Sequence, residues 1–236
     1  MESVGIAGIL DVETTGLDSK ADEIVELSLI LFTFNRKTGE ILEIVDEYCG
    51  LREPSVPIRK ETSRIHGIYK RTVRGKTLDH SKIESMIARA EFFVAHNARF
   101  DWGFVVRMFP SAAEKPWLCS MNGINWKEKG FLSKGLQNLL KDHGIEPETK
   151  HRAGHDTRAT LTLLSMCNSN GKTYFWELLQ SPSYQREVAR KEVAASTGPR
   201  EEPREEASLQ KASKAGGCLL PILMGALLVL ALSWVK

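Results

Sequence analysis

Residues 4–16 read VGIAGILDVETTG, and this stretch decides the fold. Val4 to Val12 is a short apolar run of the kind that forms a buried strand, and Thr14-Thr15-Gly16 follows it with turn chemistry. Glu23 to Phe34 reads as a second strand, apolar on both alternations except at Glu26 and Ser28, as expected of a central strand covered on both faces. Ile41 to Leu51 makes a third, joined to the second by a hairpin turn at Lys37-Thr38-Gly39-Glu40. Helical patterns lie near 79–89, 100–109, 133–143, 152–168 and 173–180, with short strands at Phe92–Ala95 and Trp117–Met121. Three strands in a row, then alternating helices and strands, predict an α/β domain built on a mixed sheet.

The chain has 236 residues, 42% apolar and 26% charged, which excludes a collagen-like, disulfide-scaffold or wholly disordered protein. Its net charge of +2 hides an uneven distribution. Residues 1–180, the expected folded domain, carry 24 basic and 24 acidic residues; 181–217 carry seven and six; 218–236 carry only Lys236. Beyond Tyr184 and up to Ala215 the middle segment has no aromatic residue, so it reads as a charged, flexible tether with a helical first half around REVARKEVAA. From Ala215 to Val235 there are 21 uncharged residues, close to the roughly 20 that a helix needs to cross a bilayer. Residues 218–235 are therefore expected to form a single-pass C-terminal transmembrane helix, with Trp234 and Lys236 at one interface. Val4 to Leu10 is too short for a secretory signal and runs into Asp11 and Glu13, so the folded domain is expected on the cytosolic side of that membrane. Four cysteines without metal-ligand spacing are expected to be reduced.

Carboxylates carry the chemistry. Residues two apart in a strand point to one side, so Asp11 and Glu13 stand side by side at the end of the first strand. Adjacent like charges repel unless a positive group lies between them, and a hard divalent cation supplies one; an exposed turn would also explain the pair. Asp101 opens a helical stripe with Phe104, Val105 and Met108, which aims it inward, although an acid favoured by the helix dipole would occupy the same place. Asp156 shares a mostly apolar face with Ala159, Thr160, Leu163 and Cys167. His151 precedes that helix and can reach over its start as a base, whereas His155 lies about 100° around the helix from Asp156 and reads as a surface residue.

The segments LDVETTGLD (10–18), AHNARFDWGFV (95–105) and HRAGHDTRAT (151–160) resemble, in order, the three motifs of the DEDDh 3′-to-5′ exonucleases, the family of the proofreading epsilon subunit of bacterial DNA polymerase III. The resemblance extends over residues 5–168, including IHGI at 65–68 and GLQNLLKDHGI at 135–145. It implies a ribonuclease H-like fold and two Mg²⁺ or Mn²⁺ ions per site. By motif, Asp11, Glu13 and Asp156 would hold one ion, Asp11 would bridge to the second, and Asp101 would act directly or through water. His151 would take the proton of the attacking water, and a nucleoside 5′-monophosphate would leave. Asn97 and the backbone at Thr14 and Thr15 would contact the terminal nucleotide.

Residues 59–89 hold nine basic residues against three acidic ones, so Lys70, Arg71 and Arg74 are candidates for a phosphate-tracking patch; a solvated surface explains the charge equally well. The expected substrate is a nucleic acid with a free 3′ end, DNA ahead of RNA. An inactive nucleic-acid-binding membrane tether is the non-enzymatic alternative. No polymerase-binding segment is evident in 181–217, so a replicative proofreading role is not expected.

Overall fold

The computed structural model describes residues 3–146 and 151–196, with side chains to residue 190. The chain opens with β1 (Val4–Thr14), β2 (Ile24–Asn35) and β3 (Ile41–Leu51). It continues through α1 (Lys60–His66), α2 (Lys70–Val73) and α3 (His80–Arg89) to β4 (Phe93–Ala95) and α4 (Ala98–Met108). A 3₁₀ turn (Pro110–Glu114), β5 (Trp117–Cys119), α5 (Ser120–Gly123), α6 (Leu136–Asp142), α7 (Ala153–Ser165), α8 (Tyr174–Leu179) and α9 (Pro182–Ser196) follow. The strands and the helices α3, α4, α6, α7 and α8 lie where the hydrophobic patterns place them, although the strand expected over Trp117–Met121 ends at Cys119 and α9 occupies the first part of the segment read as a flexible tether. The short α1, α2 and α5 were not expected.

The strands form one five-stranded mixed sheet in the order β3-β2-β1-β4-β5. β1 runs antiparallel to β2 and parallel to β4. The hairpin between β2 and β3 closes through Asn35, whose side-chain oxygen accepts the N–H groups of Lys37 and Thr38, and through Gly39 in the left-handed region at φ 65°. The return from β3 to β4 needs a crossover, which residues 52–92 supply with α1, α2 and α3.

Successive strand side chains alternate, so β1 serves two cores. Ala7 and Ile9 face a core closed by Leu139 of α6, Leu164 of α7 and Phe175 of α8. Leu10 and Val12 face the other, closed by Ile83 and Met86 of α3 and Phe104 and Val105 of α4. Tyr184 of α9 packs edge-on against Phe92 with ring centroids 5.2 Å apart, so chain beyond residue 180 contributes to the first core. Among the described residues no helix is long and apolar enough to cross a membrane. The expected span at 218–235, like residues 197–217 of the tether, lies outside the described residues.

Candidate active site

The site grows out of a core row. On β1 the residues Ala7, Ile9, Asp11 and Glu13 point to one side; the first two are buried under α6, α7 and α8, and the last two open into a cleft of about 330 Å³. The cleft lies at the carboxyl ends of the parallel neighbours β1 and β4, where loops and helix starts converge. After β4 the chain turns through Asn97, held at φ 88°, a conformation asparagine tolerates, and enters α4, which carries Asp101. From the opposite face of the sheet α7 brings Asp156 in its first turn.

Carboxylate oxygens of Asp11, Glu13 and Asp156 lie within 4.8 Å of one another. Asp101 lines the same cleft and accepts the N–H of Val12 at 3.2 Å, which ties α4 to β1 between the two strand acids. Burial and the neighbouring charges of Asp101, Glu13 and Asp156 hold the Asp11 carboxyl well above its ordinary range. Burial, then Asp156 and Glu26, push Glu13 up to about 8. Burial raises Asp101 to about 7 against the Val12 N–H, and raises Asp156 against the hydrogen bond from Gln137. Four crowded acids that resist ionising together, all offering oxygen, match the donor set of a hard divalent cation. The cleft-lining Gln137 adds to the fit: its Nε2 donates to Asp156 at 2.8 Å, while its buried Oε1 has no partner among the described residues.

His151 lines the cleft at φ 55°, on the same short segment that leads into α7 and Asp156. His155 is half-buried and does not line the cleft. Thr14 and Thr15 are buried just past Glu13, outside the cleft lining, with their carbonyls turned to the segment around α1. The Thr14 carbonyl meets Nε2 of His66 at 3.2 Å, and the Thr15 carbonyl accepts from the Thr62 hydroxyl at 3.1 Å and from the Arg59 N–H at 3.0 Å. Gly16 is required here because a Cβ would fall 2.4 Å from the Asp22 carboxylate.

Sequence reasoning missed the support beneath these groups. Glu26, 2% exposed and directly across the ladder from Glu13, accepts Arg152 Nε at 3.1 Å, Arg152 Nη2 at 2.5 Å and the N–H of Ala153 at 2.9 Å. That anchors the start of α7, and with it His151 and Asp156, to the strand pair carrying Glu13. A lone Glu within an apolar strand was the available signal. His96 was missed too. It lines the cleft between the Ser120 hydroxyl at 2.9 Å and the Lys134 carbonyl at 2.8 Å.

The structure divides the basic segment. Lys82 and Arg89 pair with Asp46, and Arg59 pairs with Asp22. Lys70, Arg71 and Arg74 lie on or at the end of α2, and none of them lines the acidic cleft.

The family described as Exonuclease (RNase_T) matches residues 9–164, which span all of these acids. The chain belongs to the exonuclease family. This exonuclease is 30% identical over 166 residues to the PolC-type DNA polymerase III of Thermotoga maritima and 31% identical over 162 residues to that of Clostridium perfringens. These alignments cover 64% and 66% of the chain but only 11% of either relative, so the chain spans about a tenth of the length of the polymerases it matches. Among solved structures, exonuclease I superposes with a TM-score of 0.56 at 17% identity, covering 79% of this chain and 44% of that one. The E. coli exonuclease I complex with a dA16 oligonucleotide gives the same score and identity over 75% and 43%. At that identity the likeness is one of fold, the ribonuclease H-like exonuclease fold. The domain is an exonuclease-family hydrolase, of a type that uses divalent metal ions.

Proposed function

We propose that this exonuclease removes nucleoside 5′-monophosphates from the 3′ ends of DNA. The observation that carries the reading is the convergence of Asp11, Glu13 and Asp156 within 4.8 Å, with Asp101 and His151 in the same cleft. Asp11, Glu13 and Asp156 would hold one Mg²⁺ or Mn²⁺, with Asp11 and Asp101 serving a second. When bound, such ions neutralise charge on the scissile phosphate and on the departing 3′ oxygen. His151 accepts the proton of the attacking water. Arg152, locked on Glu26, keeps His151 at the mouth of the cleft. Asn97, which lines the cleft, is the proposed contact to the terminal nucleotide, and Lys70, Arg71 and Arg74 a phosphate-binding patch; the backbone at Thr14 and Thr15, expected to share that contact, is instead taken up by α1 and by Glu23.

DNA is the favoured polymer because the matched relatives are DNA polymerases and a fold neighbour is complexed with a DNA oligonucleotide. Matched 5′-labelled DNA and RNA oligonucleotides, incubated with the full-length chain and Mg²⁺, Mn²⁺ or EDTA, test this. The reading expects a descending ladder on DNA with either metal and none in EDTA; a faster ladder on RNA reverses the sugar assignment. Residues 218–235 are proposed to tether the enzyme to a membrane, with the catalytic domain on the cytosolic side, on the strength of their length and unbroken apolar character. Flotation with lipid vesicles should then require them, and flotation of a chain lacking them would refute the tether.

A further inference from the structure

On the far side of α1 from the acids lies a second concavity, a groove of about 470 Å³ between the segment after β3 and the helices α1 and α2. Thr62 and His66 hold α1 against the end of β1, so the groove sits about one helix width, ~10 Å, from the cleft. Val56 and Ile58 give it an apolar floor, and Lys60, Arg64, Tyr69 and Lys70 line its walls. Tyr69 is 43% exposed, and the Arg71 guanidinium stands 5.2 Å from its ring centroid. Among the described residues no carboxylate pairs with Lys60, Arg64 or Lys70, in contrast to Lys82 and Arg89 further along the same basic segment. The single acid of the lining, Glu53, is turned to the backbone, accepting the Gly75 N–H at 2.6 Å.

An exposed aromatic ring over an apolar floor, surrounded by these cations, fits one chemistry well. A nucleobase offers a π face to stack on Tyr69, and the phosphates on either side of it offer charge to the lysines and Arg64. A paired base cannot enter such a groove without leaving its stack. We propose that the groove is a second nucleic-acid subsite that takes an unstacked base of the substrate strand a few nucleotides upstream of the end being cut. The enzyme accordingly prefers single strands, or duplexes with a single-stranded 3′ end, over blunt duplexes. This rests on the nuclease reading of the cleft, since it requires a strand whose 3′ end lies there.

Fluorescence anisotropy of a labelled single-stranded DNA oligonucleotide, titrated with the full-length chain in EDTA, tests the subsite without turnover. Tyr69→Ala should weaken binding about tenfold, as loss of one stacked base does. Tyr69→Phe, which keeps the ring, should bind within about twofold of the parent. Changing Lys60, Arg64 and Lys70 together to Gln should flatten the salt dependence by about 2 in log–log slope, about 0.7 for each phosphate no longer neutralised. Parent-like single-strand affinity in Tyr69→Ala overturns the proposal, as does an equal loss on blunt duplex. Digestion with Mn²⁺ is read separately: a parent that binds in a Tyr69-dependent way but never cuts refutes the nuclease reading and leaves the binding groove standing.

Discussion

Replacing Glu26 with Ala should damage catalysis without touching a metal ligand or the substrate. Glu26 is 2% exposed and takes hydrogen bonds from Arg152 and from the backbone of Ala153 at the first residue of α7. Breaking a fully buried ion pair costs about 3–5 kcal/mol. Here the Arg152 side chain is 37% exposed and can be rehydrated, which lowers the expected loss to about 2–3 kcal/mol. The catalytic loss comes from geometry, because the same helix start fixes His151 and Asp156 against Glu13. A displacement of about 1 Å at such groups costs roughly 100-fold in rate. Urea unfolding measures the first quantity, and single-turnover release of mononucleotide at saturating metal measures the second. Glu26→Gln, which retains an acceptor for the Ala153 N–H, should recover part of the rate. An unchanged turnover rate in Glu26→Ala, at whatever stability, would refute the positioning argument.

Three further outcomes are expected. In EDTA, stability should fall as pH rises from the ordinary carboxyl range through about 8, because the raised Glu13 and Asp101 keep their protons in the fold and must ionise against one another. Added Mn²⁺ should therefore raise Tm more at pH 8 than at pH 5; a metal-free Tm that climbs over that window contradicts the crowding of the acids. His151→Ala should lower the single-turnover rate by about 10²–10⁴, while calorimetry still finds Mn²⁺ bound. Converting Lys70, Arg71 and Arg74 to Gln together should reduce the salt dependence of single-strand binding by a log–log slope of about 2, and an unchanged slope would dispose of the patch.

Much of this was legible in the sequence for a physical reason: the informative contacts are periodic. Alternation along β1 puts Asp11 and Glu13 beyond Ala7 and Ile9 on one face, and helical spacing aims Asp101 and Asp156 inward. The rest is non-local. Arg152 and Glu26 are 126 positions apart, and only the fold brings the guanidinium to a β2 carboxylate. α1 and α2 have seven and four residues and few apolar side chains, too short for a periodic signal. Contacts with Thr14 and Thr15 at the end of β1 hold α1 in place. The basic segment looked uniform in sequence, and only the folded chain separates cations spent on Asp46 and Asp22 from those left facing the groove.

The central claim is that the acids meeting at the end of β1 form a metal-dependent phosphodiesterase centre. Release of 5′-mononucleotide from a 3′-labelled oligonucleotide, compared between the parent and Asp11→Ala at saturating Mg²⁺, tests it most directly. The account predicts steady release by the parent, none in EDTA, and a loss of several orders of magnitude in Asp11→Ala. Parent-like release by the Asp11→Ala protein would contradict it.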